Sequence, residues 1–132
     1  MREILFRGKD VRTGYWKEGS LVREWLGVDI GYTIRDVPDR FNQIAFRNIV
    51  DPKTIGQYTG LTDKNGRKIF EGDIVAVPLS GKPAKGIVEY FKTDICGFTV
   101  ITQPQYSNYV LQKNYAYEVI GNIHDNPELL EE

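Results

Sequence analysis

Cysteine is almost absent from this chain: Cys96 stands alone among 132 residues, so no intrachain disulfide can staple the fold. Histidine is equally scarce, with His124 the single one. One histidine and one cysteine fall short of any usual zinc ligand set, and no metal or cofactor is expected. Long apolar runs are missing too. The longest, Ile74-Val75-Ala76-Val77-Pro78-Leu79, is far below the roughly 20 residues that a membrane-spanning helix needs. The opening Met1-Arg2-Glu3-Ile4-Leu5-Phe6-Arg7 places three apolar residues before an arginine, where a signal peptide would carry about seven or more. No Asn-x-Ser/Thr acceptor occurs. Excess charge of either sign is also lacking, with 17 Lys+Arg against 18 Asp+Glu and a net charge of -1. That balance argues against a dedicated nucleic-acid or anionic-membrane binder, which usually carries a basic excess. These absences lead to the expectation of a cytoplasmic protein without a membrane partner.

What is present is glycine and strand-forming residues. Thirteen glycines separate short apolar alternations, the pattern of strands joined by tight turns. At 41% hydrophobic and 12% aromatic, the chain has enough apolar surface to fold and too little to span a membrane. Ile4-Leu5-Phe6-Arg7 reads as an opening strand and Tyr15-Trp16-Lys17-Glu18 to Val22 as its return. In that hairpin Phe6 and Trp16 are expected to face each other across the strands. Residues 23–52 carry the weakest pattern. Phe41, Ile44, Ala45 and Ile49 recur at helical spacing after Asp39, whereas Phe46 and Val50 also fit a strand that ends at Asp51-Pro52. One short helix or an irregular connection is the favoured reading.

The clearest local signal is Thr54 to Leu61, then Thr62-Asp63-Lys64 and Asn65-Gly66. Asn-Gly tolerates the positive φ of a hairpin turn, so a β-hairpin is expected to return through Arg67-Lys68-Ile69-Phe70. Strands follow at Ile74–Val77, Ile87–Phe91, Phe98–Ile101 and Tyr117–Ile123, with a tyrosine-rich stretch, 103–115, looping between the last two. Asn126-Pro127-Glu128 supplies a cap, a first-turn proline and an acidic residue for about one closing helical turn. The expected fold is mainly β, with short helices at most. Residues 1–53 form an N-terminal β segment with an irregular or partly helical connection. Residues 54–132 form a small SH3-like barrel of about five short strands with a C-terminal helical turn.

Each chemically suggestive residue has a structural reading beside the functional one. His124 with Asp125 matches a base and its orienting carboxylate in residue type only: no nucleophile motif accompanies it, and a turn histidine is preferred. Cys96 reads as a small packed residue. Asp63-Lys64-Asn65-Gly66 fails as a calcium loop, because Leu61 and Gly72 fall where the first and last ligands belong. Glu71-Gly72-Asp73 offers two nearby carboxylates, yet its glycine implies a turn in which acids accept backbone N–H bonds. The basic groups Lys9, Arg12 and Lys17, then Lys64, Arg67 and Lys68, then Lys82 and Lys85, all fall in turns and read as solvated. No catalytic, cofactor-binding or metal-binding residue is assigned, and no enzyme is expected.

The run Thr54-Ile55-Gly56-Gln57-Tyr58-Thr59-Gly60-Leu61-Thr62-Asp63-Lys64-Asn65-Gly66-Arg67-Lys68-Ile69-Phe70-Glu71-Gly72-Asp73-Ile74-Val75 strongly resembles the YopX family of phage and prophage proteins. Phe6-Arg7-Gly8-Lys9-Asp10 with Gly14-Tyr15-Trp16, and the close from Glu118 to Leu130, resemble its start and end. The resemblance implies a bacterial or phage origin and a β-rich fold, and it supplies no activity or site residues. Small sheets hide unpaired edges by association or by covering loops. A binding or assembly protein that forms homo-oligomers is therefore expected. The alternative is a phage-encoded nucleic-acid binder or regulator that uses a barrel face near Tyr90, Phe91 and Lys92.

Overall fold

β-Branched and aromatic residues between glycine turns set up eleven strands in a computed structural model that describes residues 3–35, 47–78, 84–91, 97–103, 108–113 and 115–130. They are β1 (Phe6–Lys9), β2 (Trp16–Trp25), β3 (Ile30–Arg35), β4 (Arg47–Val50), β5 (Gly56–Thr62), β6 (Lys68–Phe70), β7 (Asp73–Val77), β8 (Ala84–Phe91), β9 (Gly97–Gln103), β10 (Asn108–Val110) and β11 (Glu118–Asn122). The helical elements among the described residues are short 3-10 turns, Pro52–Thr54 and Pro127–Leu130. The fold is mainly β. The strands form two antiparallel sheets, ordered β4-β3-β2-β1-β5-β6 and β10-β9-β8-β7-β11. Contacts divide the chain into two units, Met1–Tyr58 and Thr59–Glu132.

In the first unit β2 changes partner midway along its length. Trp16–Gly19 pair with β1, and Ser20–Trp25 pair with β3. β4 lines the other side of β3 and also returns to the end of β1. Val11 donates to the Ile49 carbonyl at 3.0 Å, Asp51 donates to the Lys9 carbonyl at 2.9 Å, and Asp10 bridges Val50. Ile34 and Val50 fill the space this curl leaves, over Gly8 and Gly19. A Cβ on Gly19 would collide with the Arg35 carbonyl, so the close approach requires glycine there.

Two expectations for this unit change. Trp16 faces Lys9 rather than Phe6, and Phe6 faces Gly19. The loop between β1 and β2 sets this register, and with a period of two it puts Phe6 and Trp16 on opposite faces. The favoured helix also does not reach residues 47–50. Ile49 and Val50 lie on β4, because pairing with Tyr32–Arg35 of β3 supplies backbone partners that a short apolar run lacks by itself. The residues Asp39 to Phe46 of that expectation lie outside the described residues.

In the second unit the Asn65-Gly66 turn joins β5 to β6, with Gly66 at φ +83°. The core is Ile69, Val75, Val77, Val88, Val100, Leu111, Tyr117 and Val119, with Leu61, Phe98 and Tyr115 packed against it. Within this mainly β class, the small SH3-like barrel expected for residues 54–132 is not closed: its strands include an open five-stranded sheet. Closure needs the outer strands to pair, but β11 docks on β7 and β10 on β9, which leaves those two strands at opposite edges. Within the tyrosine-rich stretch, Asn108–Val110 forms edge strand β10 rather than loop. The closing turn falls at Pro127–Leu130, where its cap and proline signals place it.

Candidate functional site

Thr59, Asp63 and Asp73 of the central run are committed to the backbone around them. Asp63 is 6% exposed, and its carboxylate accepts N–H bonds from Asn65 and Arg67 at 2.9 Å each and from Val119 at 3.0 Å. It both shapes the Asn-Gly hairpin and ties it to β11. Burial pushes its pKa up, but the N–H bonds from Val119, Arg67 and Asn65 outweigh that and hold it below the usual carboxylate value. The hydroxyl of Thr59 donates to the Ile69 carbonyl at 2.8 Å, which clips β5 to β6. Asp73, 1% exposed, accepts from the Phe70 N–H at 2.8 Å across the Glu71-Gly72 turn. The calcium-like run is thus a turn organised by Asp63.

The turns that hold Asp73 and His124 are neighbours. Asn122 faces Asp73 across β11 and β7, and Ile123 donates to the Gly72 carbonyl at 2.9 Å. His124 sits in a turn whose N–H bonds, from His124 at 3.0 Å and Asp125 at 2.9 Å, converge on the Asn122 Oδ1. Neither turn lines a groove of this unit that lies at Gly60–Lys64 with Lys113, Tyr115 and Ala116. Among the described residues, no group of three or more His, Cys, Asp or Glu is placed to hold a metal ion. Cys96, Lys82 and Lys92 lie outside the described residues.

Several basic residues are tied to local partners. The Arg7 guanidinium lies 4.6 Å and the Lys9 ammonium 5.6 Å from the centre of the Trp16 ring, so two cations share one indole. Asp10 accepts N–H bonds from Arg12 at 2.8 Å and Thr13 at 3.1 Å, and the Arg12 bond is the main reason its pKa is lowered. Lys85 donates to the Leu129 carbonyl at 2.9 Å and anchors the C-terminal turn. Tyr90 lies edge-on to Phe98 at 5.2 Å, and the rest of the expected surface, the Phe91 side chain and Lys92, lies outside the described residues.

Two surfaces emerge that residue patterns did not indicate. In the second unit the groove has a volume of about 370 Å³. Lys64 stands at its rim 3.7 Å from Glu118, and the Tyr115 hydroxyl donates to the Pro78 carbonyl at 3.3 Å. Tyr117, behind Tyr115, has its pKa raised by burial and accepts the Gln112 N–H at 3.1 Å. In the first unit the β2–β3 hairpin carries Trp25, Val28 and Ile30 at 63%, 88% and 52% exposure. The only sequence signal for it is an apolar cluster around Gly27-Val28-Asp29, without a clear period.

The family described as YopX protein matches residues 6–131. The chain belongs to the YopX family. The YopX match spans both sheets, including the Asp63 hairpin and the Asn122 turn. No curated protein sequence matches the chain. Among solved structures, the crystal structure of protein EF1440 from Enterococcus faecalis is similar, with a TM-score of 0.60 and 24% identity over 99% of this chain and 100% of that one. That likeness concerns the fold. Membership in the YopX family brings no residue roles, so the geometry alone bears on function.

Proposed function

We propose that this YopX-family protein is a non-enzymatic, prophage-derived binding or assembly protein that acts in the cytoplasm of a bacterial host and associates with copies of itself. The observation that supports this reading is the edge strand β10 of the second unit. β10 forms one outer edge of the five-stranded sheet, with Tyr109 and Val110 42% and 48% exposed, whereas at the other edge the Lys64 N–H and the Asp63 carboxylate meet the chain at Tyr117 and at Val119 of β11. Edges of this kind template pairing with another chain unless something covers them. The commitment of Asp63, Asp73 and Asn122 to backbone N–H groups gives them scaffold roles. No helix among the described residues is long and apolar enough to cross a membrane. Sedimentation equilibrium of the full chain tests the proposal. A species larger than the monomer is expected, and a monomer throughout the micromolar range overturns it.

The groove favours a second reading, a nucleic-acid binder. Lys64 and Lys113 supply cations and Tyr115 a ring at one place, the combination that holds a single-stranded backbone and a stacked base. Retention of a single-stranded oligonucleotide should then fall with salt and weaken in the Lys64→Glu and Lys113→Glu variants. No retention at low salt removes this reading.

A further inference from the structure

The β2–β3 hairpin extends beyond the strands that flank it. β1 pairs with β2 only at Trp16–Gly19, and β4 pairs with β3 only at Tyr32–Arg35. From Arg23 to Tyr32 the register joins the two strands to each other, Arg23 to Tyr32, Glu24 to Gly31 and Trp25 to Ile30. Among the described residues this segment has no third strand. Leu26 donates its N–H and Asp29 accepts it at 2.8 Å, which closes the tip. A two-stranded ribbon is marginally stable in water unless another surface covers it.

One face of this ribbon continues the apolar interior outward. Cross-strand pairs on a shared face run from Leu21 and Ile34, the latter fully buried, through Arg23 and Tyr32 to Trp25 and Ile30. Beyond them Val28 is 88% exposed. On the opposite face Leu26 covers Gly31, where a Cβ would collide with its side chain. Thr33 donates its hydroxyl to Glu24 at 2.6 Å, and Arg35 pairs with Glu24 at 3.2 Å. That second face is satisfied within the ribbon. The Trp25 face is not.

We infer that the Trp25–Ile30 face of this hairpin is the contact through which a second copy of the chain packs, about a two-fold axis. This rests on the self-association proposed above and places its contact on the first unit instead of the strand edge of the second. The charges decide the occupant. Arg23 is the next residue inward of Trp25 on this face, and Asp29 stands at the tip beyond Ile30, with one carboxylate oxygen accepting the Ile30 N–H at 2.7 Å and the other left for a partner. Opposite signs therefore bracket the apolar centre, and a two-fold rotation brings Arg23 of one copy toward Asp29 of the other. With Glu24 paired to Arg35, the ribbon has no basic excess for a polyanion or an anionic lipid surface. A hairpin tip also buries well below the roughly 800 Å² per partner of a standard interface, so association in the micromolar range is expected.

Sedimentation velocity of the full chain across the micromolar range tests this, with far-UV circular dichroism as the fold control. Wild type should dimerise, and Trp25→Ser should be monomeric at concentrations where wild type is paired. Arg23→Asp and Asp29→Arg should each weaken the dimer at least about tenfold, and the double variant should regain it, because the reversed charges meet again across the axis. If wild type associates but Trp25→Ser and both single reversals associate equally well, this surface is wrong and association runs elsewhere, with the broader proposal intact. If the singles weaken the dimer but the double does not recover, the two-fold pairing is wrong. A monomeric wild type overturns both proposals. A monomer whose Trp25 drives pelleting with anionic vesicles assigns the face to lipid and overturns this one.

Discussion

Asp63 concentrates more of this fold in one side chain than any other residue of the central run. Its two oxygens receive three N–H groups, two from its own hairpin and one from β11, 56 residues away in sequence. Replacement by Asn keeps one acceptor but turns an NH₂ toward the Val119 N–H, so a donor meets a donor. Asp63→Asn should cost about 2–3 kcal/mol in denaturant unfolding. A matching acid dependence follows from its lowered pKa. A carboxylate whose pKa is depressed on folding stabilises the native state above its unfolded value of about 3.9. That contribution is lost as pH falls through the lower, folded value. Wild type should therefore lose stability on acidification below about pH 4 more steeply than Asp63→Asn, as measured by urea midpoints across pH. Parallel curves would show that the three bonds do not favour the ionised form.

At the scale of elements, the hairpins show what residue order could and could not convey. Asn65-Gly66 specifies its turn locally, since Gly66 sits at φ +83°, a region L side chains avoid. Gly66→Ala should cost about 1–2 kcal/mol, read from thermal melts, without a change in the sheets. Gly19→Ala acts differently, because its Cβ meets the Arg35 carbonyl. It should cost about 3 kcal/mol and disturb the β2–β3 pairing, visible as amide shift changes from Ser20 to Arg35. An equal cost at both sites would mean that close approach adds nothing to backbone strain. The strand ends around Gly66 were legible because turn chemistry is local. The place of Trp16 was not, since register depends on a loop length and on which partner β2 takes. β3 and β4 were hidden for a related reason: short runs such as Ile30–Arg35 and Arg47–Val50 become strands when a neighbour pairs with them.

For the whole molecule, burial is uneven between the two units. Among the described residues, the first holds Leu5, Ile34, Val50 and Tyr58 as its buried apolar residues, whereas the second holds ten, from Ile69 to Val119. Opening free energy follows buried apolar contact, so native-state hydrogen exchange should be slowest in β7, β8 and β9. Amides of β3 and β4 should exchange at least about ten times faster. Uniform protection would indicate that the chain opens as one cooperative body. The turn sites, the strand-rich class and the membership carried by the run from Thr54 to Val75 were determined by sequence alone, because each depends on neighbours a few residues apart. Tertiary structure decided what depends on distant partners. β11 docks on β7 and keeps the second sheet open, Asp63 reaches Val119, and β4 stops at Tyr32 so that Trp25 and Ile30 are left facing solvent. Backbone pairing between remote segments carries no local residue signature, and the exposed hairpin face follows from that pairing.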